Sequence, residues 1–143
     1  MNTLPLELRN NSAAQIGRVP EAVSRWLVIA LLVIAAVAHI PVTPEHLHEA
    51  PYMGVLFIAF TVAALAIAVA LATGPSAFKY ACAALLCIAA VMAYAATRLI
   101  AFPQLADDVG MWGEPLGVLS IATESAAALI CLVKVRPVAV VAG

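Results

Sequence analysis

Four apolar runs, at residues 26–40, 52–73, 80–102 and 115–133, leave this chain few folds to choose from. A helix that crosses a ~30 Å hydrocarbon core needs about 20 apolar residues. The last three runs have that length, and Ala22, Val23 and Val42 lengthen the first at its interfaces. In lipid the backbone must satisfy its own polar groups, so runs dominated by Ala and Leu read as helices. Composition agrees, with 65% hydrophobic residues, 10% charged residues and a mean hydropathy of +1.06. A soluble domain carries roughly 25% charged residues. The expected fold is all-α: an integral membrane, antiparallel four-helix bundle over residues 22–136, with spans near 24–42, 52–73, 79–102 and 115–133. Residues 1–21, polar and carrying Pro5 and Pro20, read as a flexible tail, and 137–143 as a short C-terminal tail.

Charge sets the expected orientation. Arg9, Arg18 and Arg25 precede the first span, Lys79 separates the second from the third, and Lys134 and Arg136 follow the fourth. The other two loops contain no Lys or Arg and hold Glu45, Glu49, Asp107, Asp108 and Glu114 instead. The positive-inside rule then places both termini in the cytoplasm, for a multi-pass protein of the inner membrane. One competing reading takes Arg18, Arg25 and the apolar stretch 27–37 as a signal peptide cut after Ala36-Val37-Ala38. That cut makes His39 a copper-chelating amino terminus, but the polar lead is long for a signal peptide. A net charge of −1 offers no basic stripe for phosphates, so nucleic acid is excluded as a partner and the lipid bilayer is the expected one. Cys82, Cys87 and Cys131 lie within apolar runs without a CxxC pair and read as small hydrophobes.

Most of the chemistry collects toward the extracytoplasmic ends. The first outer segment carries His39, Glu45, His46, His48 and Glu49. Thr43 before Pro44 resembles a helix start, so a short interfacial helix over 44–50 is expected to lead into Pro51. On it Glu45 and Glu49 share a face, as do His46 and Glu49. Three imidazoles and two carboxylates suit zinc or copper, although the spacing matches no ligand motif and His46 and His48 point to different sides. A solvated acidic loop or a pH sensor is the alternative. Haem is disfavoured, because no histidine is expected deep in a span. In the second outer segment Pro103 stops a helix, Trp112 anchors at the interface, and Glu114-Pro115 starts the last span. Asp107 and Asp108 read as exposed loop acids.

Glu124 is the sharpest clue, an acid near the middle of the last span. A charged carboxylate at that depth costs roughly 3 to more than 10 kcal/mol unless water, a proton or a partner reaches it. Gly117, Ser120 and Glu124 recur on one helix face, and Tyr94 and Arg98 share a face of the third span. Arg98 lies about four residues and Glu124 about nine below the outer ends, a vertical gap of roughly 7–8 Å. An extended guanidinium spans much of that, so an Arg98–Glu124 pair is expected, either as interhelical glue or as part of a proton-titrating, outward-open pocket with Glu49, Tyr94 and Ser120. Met53, Gly54, Phe57 and Thr61 are candidates for its wall. The alanines at 64, 68 and 72 and at 89 and 93 have the small-xxx-small spacing of closely packed helices.

The elements His39…Glu49-Ala-Pro-Tyr-x-Gly54-x-Leu-Phe57, Arg98-x-x-x-x-Pro103, Trp112-x-Glu114-Pro115-Leu-Gly117 and Glu124 resemble a loose group of small four-span bacterial membrane proteins. The resemblance covers residues 26–133 and implies the same topology and polar residues; the group brings no established activity. The first expected function is a binding or accessory module that handles a metal ion or serves as a subunit of a larger membrane complex. Proton-coupled transport by a homo-oligomer is second. An enzyme is third, because the chain has no nucleophile–base pair, phosphate loop or HExxH motif.

Overall fold

The computed structural model describes residues 19–135. Of the tails expected at 1–21 and 137–143, residues 1–18 and the whole of the second lie outside them, as do Arg9, Arg18 and Arg136. The described residues contain five α-helices, one 3-10 turn and no strand: α1 (Glu21–His39), α2 (Thr43–Glu49), α3 (Pro51–Ala72), α4 (Ala77–Leu99), the turn Ala106–Asp108, and α5 (Pro115–Val135). Four of the helices, α1, α3, α4 and α5, are long and apolar enough to cross a membrane.

Each boundary has a local cause. Pro20 precedes α1, whose first turn carries Glu21, an acid at the positive helix end. Prolines open α3 and α5, where a missing N–H costs nothing. At the far end of α3 the chain turns at Gly74, whose φ of 147° favours glycine. Lys79 Nζ donates to Ala70 O (2.7 Å), Gly74 O (2.9 Å) and Thr73 Oγ1 (3.1 Å), so a lysine closes the free carbonyl end of that helix. Glu21 ties three elements together there: Oε1 accepts from Tyr80 at 2.6 Å, and Oε2 pairs with Lys134 at 2.7 Å.

α1 packs on α3 and α5, α4 packs on α5, α3 touches α4, and α2 lies along α3. The core is built from small side chains. Ala35, Ala36, Ala64, Ala68, Ala83 and Ala127 surround Val28, Leu32 and Leu71. Outward-facing positions are apolar too: Val62, Val69, Leu85, Met92, Leu129 and Val133 are each more than 60% exposed. So much contiguous apolar surface fits a hydrocarbon solvent, not water.

The first crossing departs from the expected one. The short helix expected over 44–50 is present at Thr43–Glu49, but a break at residues 40–42 divides it from α1 within the span expected at 24–42. α1 stops at His39, just ahead of Pro41, which lacks an N–H and cannot continue the ladder. Thr43 and Pro44 then sit beside Ile58, Thr61 and Val62, well down α3, while Ala50 passes directly into Pro51. α2 therefore runs alongside the first turns of α3, in the direction α1 was travelling. Thr43 does not cap α2. Val42 is the cap residue, and the Thr43 hydroxyl donates to His39 O across the break (2.7 Å). Gly54 makes the contact possible, because a Cβ there would lie 2.6 Å from Leu47 Cγ and 2.8 Å from the Leu47 backbone nitrogen.

Candidate functional site

The break places His39 at depth. Its ring lies 4.5 Å from Phe60 and 5.0 Å from Phe57, two to three turns into α3. The expectation that no histidine lies deep in a span is thereby corrected: α1 ends early, and α2 covers the remaining height. His39 Nδ1 is 2.8 Å from Ala35 O and 3.3 Å from Ser120 Oγ. A carbonyl only accepts, so Nδ1 carries the hydrogen and Nε2 is left free. Nε2 faces Glu124 Oε1 at 4.0 Å. Glu124 is 2% exposed, and Oε1 has no hydrogen-bond partner in the protein. A carboxyl oxygen and an imidazole nitrogen thus confront each other across a gap too long for a direct hydrogen bond.

That pair lines a cavity of about 410 Å³, within the range of small-molecule sites. α1 contributes Ala38 and His39, α3 contributes Met53, Phe57 and Phe60, α4 contributes Tyr94, Thr97 and Arg98, and α5 contributes Gly117, Ser120 and Glu124. His46 reaches the wall from α2, its Nδ1 bound to Val42 O (2.8 Å) and its ring 4.8 Å from Phe57. Gly117 leaves room for Tyr94: a Cβ would meet Tyr94 Cε2 at 2.7 Å. The Tyr94 hydroxyl donates to Trp112 O at 3.2 Å.

Arg98 takes partners other than the expected one. Nη1 binds Asp108 Oδ2 at 2.8 Å and Nη2 binds Glu114 Oε2 at 3.1 Å, while the guanidinium stands 4.8 Å from the Tyr94 ring. The loop folds back, with Gly110 N donating to Arg98 O at 3.0 Å, and so carries two acids to the guanidinium. The expected Arg98–Glu124 pair is therefore replaced, because helical rise fixes height but not which loop acids arrive first. Arg98 is 6% exposed, and its Nε remains without an acceptor.

Of the residues singled out by sequence, the structure gathers Glu124, Arg98, Tyr94, Ser120, His39 and His46 around one cavity. Glu49, Glu45 and His48 stay exposed on α2 and off its wall. The zinc or copper set His39, Glu45, His46, His48 and Glu49 does not converge: among the described residues no three His, Cys, Asp or Glu side chains are grouped to hold a metal ion. Met53 and Phe57 line the cavity as expected for its wall, whereas Thr61 faces a separate depression with Ile40 and Pro44. Phe60 and Thr97 also line it with no sequence signal to mark them, and Asp108 and Glu114, which the sequence presents as a loop acid and a helix-start acid, reach the wall as partners of Arg98. Ala89 and Ala93 line the cavity and are exposed, so on α4 the small residues hold space open instead of closing a contact.

No protein-family model, curated protein or solved structure matches the chain.

Proposed function

We propose that this chain is a small multi-pass protein of the cytoplasmic membrane, an antiparallel four-helix bundle with both termini in the cytoplasm, whose outward-facing cavity binds a ligand as a binding or accessory module of a larger membrane complex. The orientation rests on the basic residues, which cluster where α1 begins, where α3 meets α4 and where α5 ends. The single observation that carries the binding reading is Glu124 Oε1 opposite His39 Nε2 at 4.0 Å, deep in the cavity. A buried polar atom left without a partner costs about 1–3 kcal/mol, and a ligand donor seated between the two groups removes that cost. Metal handling draws less support, because this pair supplies two ligands where a site needs three or four.

The test is ligand retention. Protein purified from its native membrane, together with Glu124→Gln and His39→Ala variants, is released from nanodiscs and weighed by native mass spectrometry. A bound small molecule is expected on the wild type and lost from both variants. Equal occupancy of all three rejects the site. The second reading, proton-coupled transport by an oligomer, draws on the same pair, since an acid facing an imidazole gives a proton two groups on which to sit. It predicts a proton flux in liposomes that disappears with Glu124→Gln.

A further inference from the structure

The cavity is open sideways as well as toward one end of the molecule. Its wall along the α3–α4 seam is made of Leu56, Ala59, Ala89 and Ala93, all exposed, with Ala63 and Ala90 behind them. From Arg98 down to Leu86, both on the wall, the cavity extends twelve residues of α4, about 18 Å at 1.5 Å per residue. The long helices present apolar side chains to hydrocarbon, so this seam faces acyl chains. A route from the bilayer to Glu124 therefore exists without passing through water.

The charges on the wall have one sign to spare. Arg98 is already met by two carboxylates, Asp108 and Glu114, and Glu124 is a third acid that faces the His39 imidazole and pairs with no Lys or Arg among the described residues. Both atoms at the base, Glu124 Oε1 and His39 Nε2, call for a donor, and Phe57 and Phe60 supply aromatic rings of the kind that favour a cation. Anions gain little here: the fully buried donor that the wall leaves without an acceptor is Arg98 Nε, on a guanidinium whose charge is already overmatched.

Building on the binding reading above, we infer that the ligand is a lipophilic ammonium compound, which enters from the bilayer through the α3–α4 seam and places its N–H donors between Glu124 and His39 with its apolar tail along the alanine wall. The test uses the full chain in nanodiscs, with equilibrium dialysis of decylammonium, decanol, decanoate and methylammonium, and empty nanodiscs subtracted. Saturable binding of decylammonium alone is expected, weakened at least about tenfold, or 1.4 kcal/mol, by Glu124→Gln. Ala93→Phe and Ala59→Leu, which fill the seam, are expected to slow uptake while circular dichroism and elution stay unchanged; the second serves if the first does not fold.

Decanol or decanoate bound with the same Glu124 dependence overturns the ammonium class and leaves the site standing. Methylammonium binding as well as decylammonium removes the role of the tail. Unchanged uptake in both seam variants overturns the lateral route, as does a dimer cross-linked through a cysteine placed at Ala93. If native mass spectrometry finds retained ligand equally on wild type and Glu124→Gln, the site itself falls.

Discussion

Replacing Glu124 with leucine is expected to make the protein more stable, and the argument is quantitative. Glu124 is 2% exposed, its Oε1 has no hydrogen-bond partner, and His39 Nε2 stands 4.0 Å from that oxygen. An unsatisfied buried polar atom costs about 1–3 kcal/mol, and leucine of similar size removes it without opening a void. Glu124→Gln is expected to gain a comparable amount by another route. Its carboxamide nitrogen donates to the free Nε2 after a shift of about 1 Å, the difference between the present gap and an ordinary hydrogen bond of ~2.9 Å. Unfolding both variants and the wild type from one detergent, by titration with a denaturing detergent followed by circular dichroism, measures the difference. A gain of about 1–3 kcal/mol for leucine, together with lost ligand retention, identifies an acid kept at the expense of stability. A loss exceeding about 1 kcal/mol, on the scale of a net intramolecular hydrogen bond, would falsify this, because the carboxyl would then be holding helices together.

Three further outcomes follow from the geometry. Gly54→Ala puts a Cβ 2.8 Å from the Leu47 backbone nitrogen, which no rotamer change relieves; overpacking of about 1–3 kcal/mol is expected, read as faster hydrogen exchange across α2 and weaker ligand retention. Arg98→Ala leaves Asp108 and Glu114 facing each other without their cation, so exchange should accelerate over residues 102–114, and Arg98→Lys should restore it only in part because an ammonium lacks the planar fork. Metal analysis of protein exposed to zinc or copper should give the same content for wild type and for His46→Ala or His48→Ala, since these side chains do not converge; a drop in either variant restores the metal reading.

The four long helices were legible because their lengths and composition are set by one-dimensional chemistry. Runs near 20 residues, Pro51, Pro115 and the lysine after the α3–α4 turn mark them directly. The polar face Gly117–Ser120–Glu124 was legible for the same reason, through helical period alone. What sequence did not yield depends on distances between elements. Helical rise placed Arg98 and Glu124 at compatible heights, yet Asp108 and Glu114 captured the guanidinium when the loop folded back. Small-residue spacing could not separate Ala64 and Ala68, buried in the core, from Ala89 and Ala93, which line a space. His46 reached the cavity beside Phe57, and Glu49 stayed off its wall, because α2 runs along α3 and turns only one side toward the cavity.

The break in the first crossing and the unpartnered acid meet at the same residue pair, and that coincidence bears on function more than either alone. Non-helical backbone at membrane depth is tolerated only where protein or a cavity surrounds it, and discontinuous helices in membrane proteins tend to flank ligand sites. Here the interruption at residues 40–42 lets His39 finish its helix beside Ser120 and Glu124, and sends Val42 and His46 to the wall of the same cavity. A continuous α1 would give up none of its backbone hydrogen bonds, and a leucine at 124 would avoid an orphaned oxygen. Neither economy is taken. Two independent stability costs concentrated on one 4.0 Å gap are hard to reconcile with packing glue, which gains by closing such gaps. They are consistent with a place where something else binds.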